Sequence, residues 1–230
     1  MFESGAMEQV SAIAFHPYGV NPRDSVKLYD QLVSILSRYN YTGDIWVTET
    51  GYPTDGWYFD RTSEKNLPAY VVKTITGLAA RGARTVFWYQ LFDRYNRGQA
   101  PNHFDSENFF GLVYRDFSKK NGAAAYALCA GTLAGLEYHP ELLPGTGLPE
   151  SLIFFYFRGK GNQNTLILWN DRNAALSIRV SFPGTGQLYD VVSGNGRAIS
   201  REAAIEVGVM PQILTWQNDA VYSPPTISLK

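Results

Sequence analysis

Three times in its first half the chain runs a short apolar stretch into a turn and then into a helical repeat. That alternation restricts the fold more than any single motif. Val10 to Phe15 is apolar and stops at His16-Pro17-Tyr18-Gly19. Behind it Val26, Tyr29, Leu32, Val33, Leu36 and Tyr39 recur at helical spacing, with Asp24 or Ser25 placed to cap the helix. Asp44 to Thr48 is the second strand pattern and runs directly into Glu49-Thr50-Gly51-Tyr52-Pro53. After a polar loop, Leu67, Tyr70, Val71, Ile75 and Leu78 mark a second amphipathic helix, which Gly82 ends. Thr85 to Leu91 is almost continuously apolar and aromatic, as a strand buried on both faces should be. A long loop and a helical stretch from about Ser118 to Leu133 follow. Strands that alternate with helices pair in parallel through right-handed crossovers. Three such strands alone leave open edges and a bare face. A closed eight-stranded barrel takes roughly 250 residues, so the expectation is part of a β/α barrel.

From about Tyr138 the texture changes. Pro and Gly crowd His139 to Pro149, and short β-patterned runs follow at Leu152 to Phe157, Thr165 to Trp169, Leu176 to Phe182, Gln187 to Val192, Ala203 to Val207 and Gln212 to Trp216. Turn signals such as Gly194-Asn195-Gly196 separate them. The fold class is therefore α/β plus all-β. A barrel segment over 1–135 precedes a small antiparallel β-sandwich over 136–230, with Trp169 and Trp216 in its strand cores.

Composition removes several functions. The formal net charge is −1, from 20 basic and 21 acidic residues, and no long run of either sign exists to attract nucleic acid or an anionic membrane. No apolar stretch is long enough to span a bilayer. Cys129 is the single cysteine, so neither an internal disulfide nor a Cys-based metal site is expected. His103, Asp105 and Glu107 alternate in a loop, but that spacing suits no common metal site and reads as a solvated polar loop. No metal or cofactor is expected. Aromatic residues make up 14% of the chain, which suits stacking on sugar rings as well as packing a core.

In a β/α barrel the C-terminal ends of the strands converge on one mouth, where active sites lie. Three features occupy those ends here: His16-Pro17-Tyr18, Glu49 within Val47-Thr48-Glu49-Thr50-Gly51-Tyr52-Pro53, and Trp88. From about Val10 to Leu133 this pattern resembles the large clan of retaining (β/α)8-barrel glycoside hydrolases, its last three β/α units in particular. A His-x-Tyr sixth-strand ending, a Thr-Glu-x-Gly seventh-strand ending and an aromatic eighth-strand ending carry the resemblance. It extends to Phe110-Gly111-Leu112-Val113-Tyr114-Arg115-Asp116 before the Ala-rich helix, and to a β-sandwich after it. The resemblance implies Glu49 as the catalytic nucleophile, Tyr18 as the phenol that orients it, and Trp88 as the floor of the cleaved sugar's subsite. His16 reads as a substrate or nucleophile contact, or as a hydrogen-bonded rim histidine. Gln90, on the face of Trp88 by strand alternation, borders the substrate or shapes the rim. Trp57, with Tyr58, stacks on a neighbouring sugar or covers the loop. Asp93 binds a sugar hydroxyl or caps a loop.

The clan's acid/base Glu follows an Asn at the end of the fourth strand, and no Asn-Glu dipeptide occurs in a strand-end setting here. The reading is a segment of a retaining O-glycosidase, acting on an oligo- or polysaccharide, whose acid lies outside this chain and which alone is nearly inactive. The alternative is a non-enzymatic carbohydrate-binding protein or remnant of a glycosidase. A missing N-terminal barrel half, or self-association through exposed apolar surface, follows from the open sheet. The resemblance points outward, to an extracellular or periplasmic setting.

Overall fold

The computed structural model describes residues 5–56, 61–140, 147–217 and 224–230. The chain forms two compact units, Met1–Ala123 and Ala124–Lys230.

In the first unit β1 (Ala12–Phe15), β2 (Asp44–Thr50) and β3 (Thr85–Trp88) make a parallel sheet in the order β1-β2-β3. Helix α1 (Pro22–Arg38) follows β1, and α2 (Leu67–Ala79) follows β2. The start of α1 is set by Asn21 and Pro22 rather than by Asp24 or Ser25. Asn21 is extended, at φ −151° and ψ 171°, and its side chain accepts the Asp24 N–H at 3.2 Å. Pro22 stands where a helix needs no N–H donor. Ser25 is instead buried within the first turn, its hydroxyl 2.6 Å from that of Tyr52. After α2, Gly82 takes the left-handed conformation, φ 85°, and turns the chain toward β3.

One face of the sheet is packed by the helices. Tyr29, Val47 and Leu78 are buried there, with Phe15, Val26, Val33, Ile45, Ala83 and Val86 against them. Alternation sends Trp46 and Phe87 to the other face, where they are 42% and 50% exposed. The long segment after β3 is tied down by a buried ion pair. Lys120 Nζ lies 2.5 Å from Asp93 Oδ2, with both side chains fully buried. The same ammonium donates to Thr54 Oγ1 at 2.8 Å and to the Phe109 carbonyl at 3.1 Å. Asp93 Oδ1 accepts the Gly111 N–H at 2.7 Å. Of the two roles open to Asp93 in the sequence, it has the structural one: burial leaves its carboxylate no access to a sugar.

Helix α3 (Asn121–Leu133) contains the boundary between the units. Its C-terminal end belongs with the β-rich part, where the Thr165 hydroxyl donates to the Thr132 carbonyl at 2.7 Å. The second unit continues with β4 (Leu136–Tyr138), β5 (Leu152–Gly159), β6 (Gln163–Asn170), β7 (Leu176–Ser181), β8 (Gly186–Asp190), β9 (Gly196–Ile199), β10 (Glu202–Val207), β11 (Gln212–Gln217) and β12 (Thr226–Leu229). These form an antiparallel six-stranded sheet, β4-β5-β6-β11-β8-β9, and a three-stranded one, β10-β7-β12. Their inner faces share one core, in which Leu166, Leu168 and Leu214 from the first meet Ile178, Val180 and Ile205 from the second. Trp216 stacks between Tyr156 and Phe182 at 5.9 and 5.1 Å. Among the described residues no helix is long and apolar enough to cross a membrane.

Candidate active site

The end of β2 departs from regular pairing. Val47 is opposite Val86 and Thr50 is opposite Trp88, so three steps of β2 face two of β3. This is a bulge, and a bulge re-aims the side chain it carries. Regular alternation would send Glu49 to the helix face with Val47. Instead its carboxylate meets the residues that follow β1: the Tyr18 hydroxyl donates to Glu49 Oε2 at 3.0 Å. His16 lies beside them, with Nδ1 3.6 Å from Glu49 Oε2 and Nε2 2.9 Å from Thr48 Oγ1. The Glu49 side chain is 40% exposed, open enough to be reached by a ligand. Burial pushes the Tyr18 phenol far above its ordinary value, and the hydrogen bond to Glu49 and that residue's charge push it further. Tyr18 therefore stays a hydroxyl donor at any working pH.

Gly51 makes the close approach of β3 to this strand end feasible. A Cβ at this position would overlap the carbonyl oxygen of Tyr89. The approach is sealed by the Tyr89 N–H, which donates to the Thr50 carbonyl at 2.8 Å. The Tyr89–Gln90 peptide bond is cis.

Trp88 does not join this group. It is 8% exposed, and its ring lies 5.9 Å from that of Tyr52. Tyr52 in turn reaches Ser25 of α1 and Thr74 of α2, so Trp88 is on the helix side of the sheet. Its neighbour Tyr89 takes the other side. The Tyr89 ring meets Tyr18 edge-on at 6.4 Å and Phe110 at 5.5 Å. Gln90 has one amide N–H committed to the Glu107 carbonyl at 2.9 Å, so it pins the loop rather than presenting that donor to a ligand. Trp57 and Tyr58 lie outside the described residues.

In the polar loop the side chains stay partly exposed, and His103 pairs away from Asp105 and Glu107, which both lie against Arg94. His103 Nδ1 is 3.2 Å from Asp55 Oδ2. Asp105 Oδ1 accepts the Glu107 N–H at 3.1 Å. Glu107 Oε2 accepts from the Tyr89 hydroxyl at 2.5 Å and lies 3.3 Å from Arg94 Nη2. Tyr89 and Arg94 are site neighbours that the sequence did not mark, and Glu107 was read only as part of a solvated polar loop. Tyr89 alone carried a signal, its place in an aromatic strand end, and that signal could not tell it from Trp88.

The sequence matches no known protein-family profile and no curated protein. The fold has clear counterparts among solved structures. A family 39 glycoside hydrolase from the gut symbiont Bacteroides cellulosilyticus WH2 superposes with a TM-score of 0.70 at 19% identity, over 93% of this chain and 46% of that one. An endo-β-1,6-glucanase matches with a TM-score of 0.55 at 16% identity, over 95% of this chain and 43% of that one. A family 51 arabinofuranosidase from Xanthomonas axonopodis pv. citri gives 0.55 at 10% identity, over 94% and 54%. The chain thus spans about half the length of these structures. It shares its fold with part of these glycoside hydrolases.

Proposed function

We propose that this chain carries the nucleophile side of a retaining O-glycosidase, with Glu49 as the nucleophile. The observation that carries the reading is the hydrogen bond from Tyr18 to Glu49 where β1 and β2 end, a carboxylate oriented by a phenol at the mouth-side end of a parallel β/α sheet. Glycosidase-fold counterparts over more than nine-tenths of the chain support it. In the first step a Glu49 oxygen bonds to the anomeric carbon as the bond to the aglycone oxygen breaks. That oxygen takes a proton from a carboxylic acid, which in retaining enzymes stands about 5–5.5 Å from the nucleophile. In the second step water adds to the anomeric carbon, the ester to Glu49 breaks, and the acid's conjugate base takes the water's proton. We assign no residue of this chain to that acid. Tyr89, rather than Trp88, is proposed as the aromatic wall for the sugar, with His16 at the rim. Residues from Val10 to about Leu133 are proposed as the last β/α units of a barrel.

The direct test is labelling with 2,4-dinitrophenyl 2-deoxy-2-fluoroglycosides, whose leaving group departs without a proton, followed by peptide mapping. A stable glycosyl ester on Glu49 is expected. A label on any other residue, or none from a panel of sugars, would leave the chain without a glycosidase assignment. In the same assay Tyr18→Phe is expected to slow labelling roughly 10- to 100-fold, because a hydrogen bond to a charged group is worth about 1.5–3 kcal/mol. An unchanged rate would remove Tyr18 from the reacting group.

The bare sheet face carrying Trp46 and Phe87 is proposed as the face that further barrel strands cover. Without them, copies of the chain should associate through it. Sedimentation velocity is expected to show concentration-dependent association that Trp46→Lys/Phe87→Lys reduces. A compact monomer at every concentration would contradict this.

A further inference from the structure

We propose that Glu107, paired with Arg94, is a positioning residue that fixes the Tyr89 ring as a wall of the sugar site beside Tyr18. This deepens the glycosidase reading and rests on it for the sugar. Tyr18, Tyr89 and Phe110 meet edge to face in all three pairs, at 6.4, 6.3 and 5.5 Å. Two of these rings end in a hydroxyl, and each hydroxyl is held by a carboxylate: Tyr18 by Glu49 at 3.0 Å, Tyr89 by Glu107 at 2.5 Å. Glu107 is itself fastened along its backbone. Its N–H is accepted by Asp105 Oδ1 at 3.1 Å, and its carbonyl accepts from Gln90 Nε2 at 2.9 Å. Arg94 bridges the loop, with Nη2 3.3 Å from Glu107 Oε2 and Nη1 3.6 Å from Asp105 Oδ2.

These contacts form a closed set. Gln90 and Tyr89 are neighbours at the end of β3, and both reach the one residue, Glu107. The first holds its backbone and the second engages its side chain. A tyrosine ring anchored only at Cβ can swing, because its second torsion is broad. Anchoring the far end as well sets the plane of the ring before a sugar arrives, which lowers the ordering cost of binding. The hydrogen bond to Glu107 leads the causes that raise the Tyr89 phenol above its ordinary value, so the same link has a spectroscopic signature.

The experiment uses the full chain in two measurements. Inactivation by 2,4-dinitrophenyl 2-deoxy-2-fluoro-β-glucoside and its xylose analogue separates KI from kinact. Glu107→Ala and Tyr89→Phe are each expected to raise KI roughly 2- to 10-fold, with the effect falling on KI more than on kinact. The double variant should be no worse than either single one, since both remove the same link. Glu107→Gln, which keeps an acceptor oxygen, should recover part of the loss. Tyrosine labelled with carbon-13 at Cζ, with the Tyr89 signal assigned by Tyr89→Phe, provides the second measurement. Tyr89 is expected to deprotonate at lower pH in Glu107→Ala than in the unaltered chain. If the unaltered chain is labelled on Glu49 but Glu107→Ala leaves KI unchanged, or adds fully to Tyr89→Phe, the positioning role is overturned and the nucleophile stands. If no label forms, the glycosidase reading fails by itself. The Glu107–Tyr89 link is then upheld by a shifted titration and overturned by an identical one.

Discussion

Glu49→Ala is expected to lower glycosyl transfer from a dinitrophenyl glycoside, whose aglycone leaves without an acid, by a factor on the order of 10⁶, the scale of a nucleophile deletion. The side chain is partly exposed and reached by one phenol and one imidazole, so its removal should cost little stability and the loss should be chemical. Azide makes the assignment stereochemical. With Glu49 present, azide attacks the glycosyl ester and the product keeps the configuration of the substrate. With Glu49→Ala, azide enters the vacated space and attacks the substrate directly, so the glycosyl azide has the opposite configuration. The retained product takes two displacements at the anomeric carbon and the inverted one a single displacement, each making one bond as it breaks another. A variant that retained transfer, or an azide product of unchanged configuration from Glu49→Ala, would rule Glu49 out as nucleophile.

The second large effect concerns stability. Lys120→Met is expected to destabilise the first unit by about 3–5 kcal/mol, because it leaves the Asp93 carboxylate buried without its counter-charge. It also strips a donor from Thr54 Oγ1 and from the Phe109 carbonyl. A loss of that size corresponds to roughly 6–20 °C in Tm for a protein of this length. Burial opposes the charged form of each partner, raising the Asp93 carboxyl and lowering the Lys120 ammonium from their ordinary values, so the pair is held by mutual attraction against desolvation. The double variant Asp93→Asn/Lys120→Met should therefore recover part of the loss. Chemical denaturation of the two single variants and the double one measures the coupling. A Lys120→Met variant as stable as the parent would mean that the pair does not hold the segment between β3 and α3.

Much of the α/β half was legible because hydrophobic periodicity is a local property. The shift from a continuous apolar run at Val10 to Phe15 to a helical repeat at Val26 to Tyr39 is enough to call a strand and then a helix. The parallel sheet β1-β2-β3 follows from the crossover. Helix starts were less legible. Asp24 and Ser25 have capping chemistry, but Pro22 allows the helix to begin earlier, so Asn21 is the cap. In the β-rich half the strands with strong apolar patterns were readable. The short β4, β9 and β12 were not, since three or four residues carry too little alternation to stand out.

The site divided in the same way. That a carboxylate ends the second strand, and that a tyrosine follows the first, could be read from His16-Pro17-Tyr18 and Thr48-Glu49-Thr50-Gly51. Which aromatic of Phe87-Trp88-Tyr89 joins Tyr18 could not. A strand apolar on both sides has no polar face to show which way it points, and the bulge in β2 moves the frame against which β3 is counted. The sequence by itself determined the order of strands and helices and the chemical groups at the strand ends, because both depend on neighbours a few residues apart. Only the tertiary structure decided that Trp88 packs on Tyr52, that Lys120 neutralises Asp93, and that Glu107 returns across 18 residues to hold Tyr89. Those outcomes depend on which surfaces meet when the chain closes on itself, and no local periodicity encodes that.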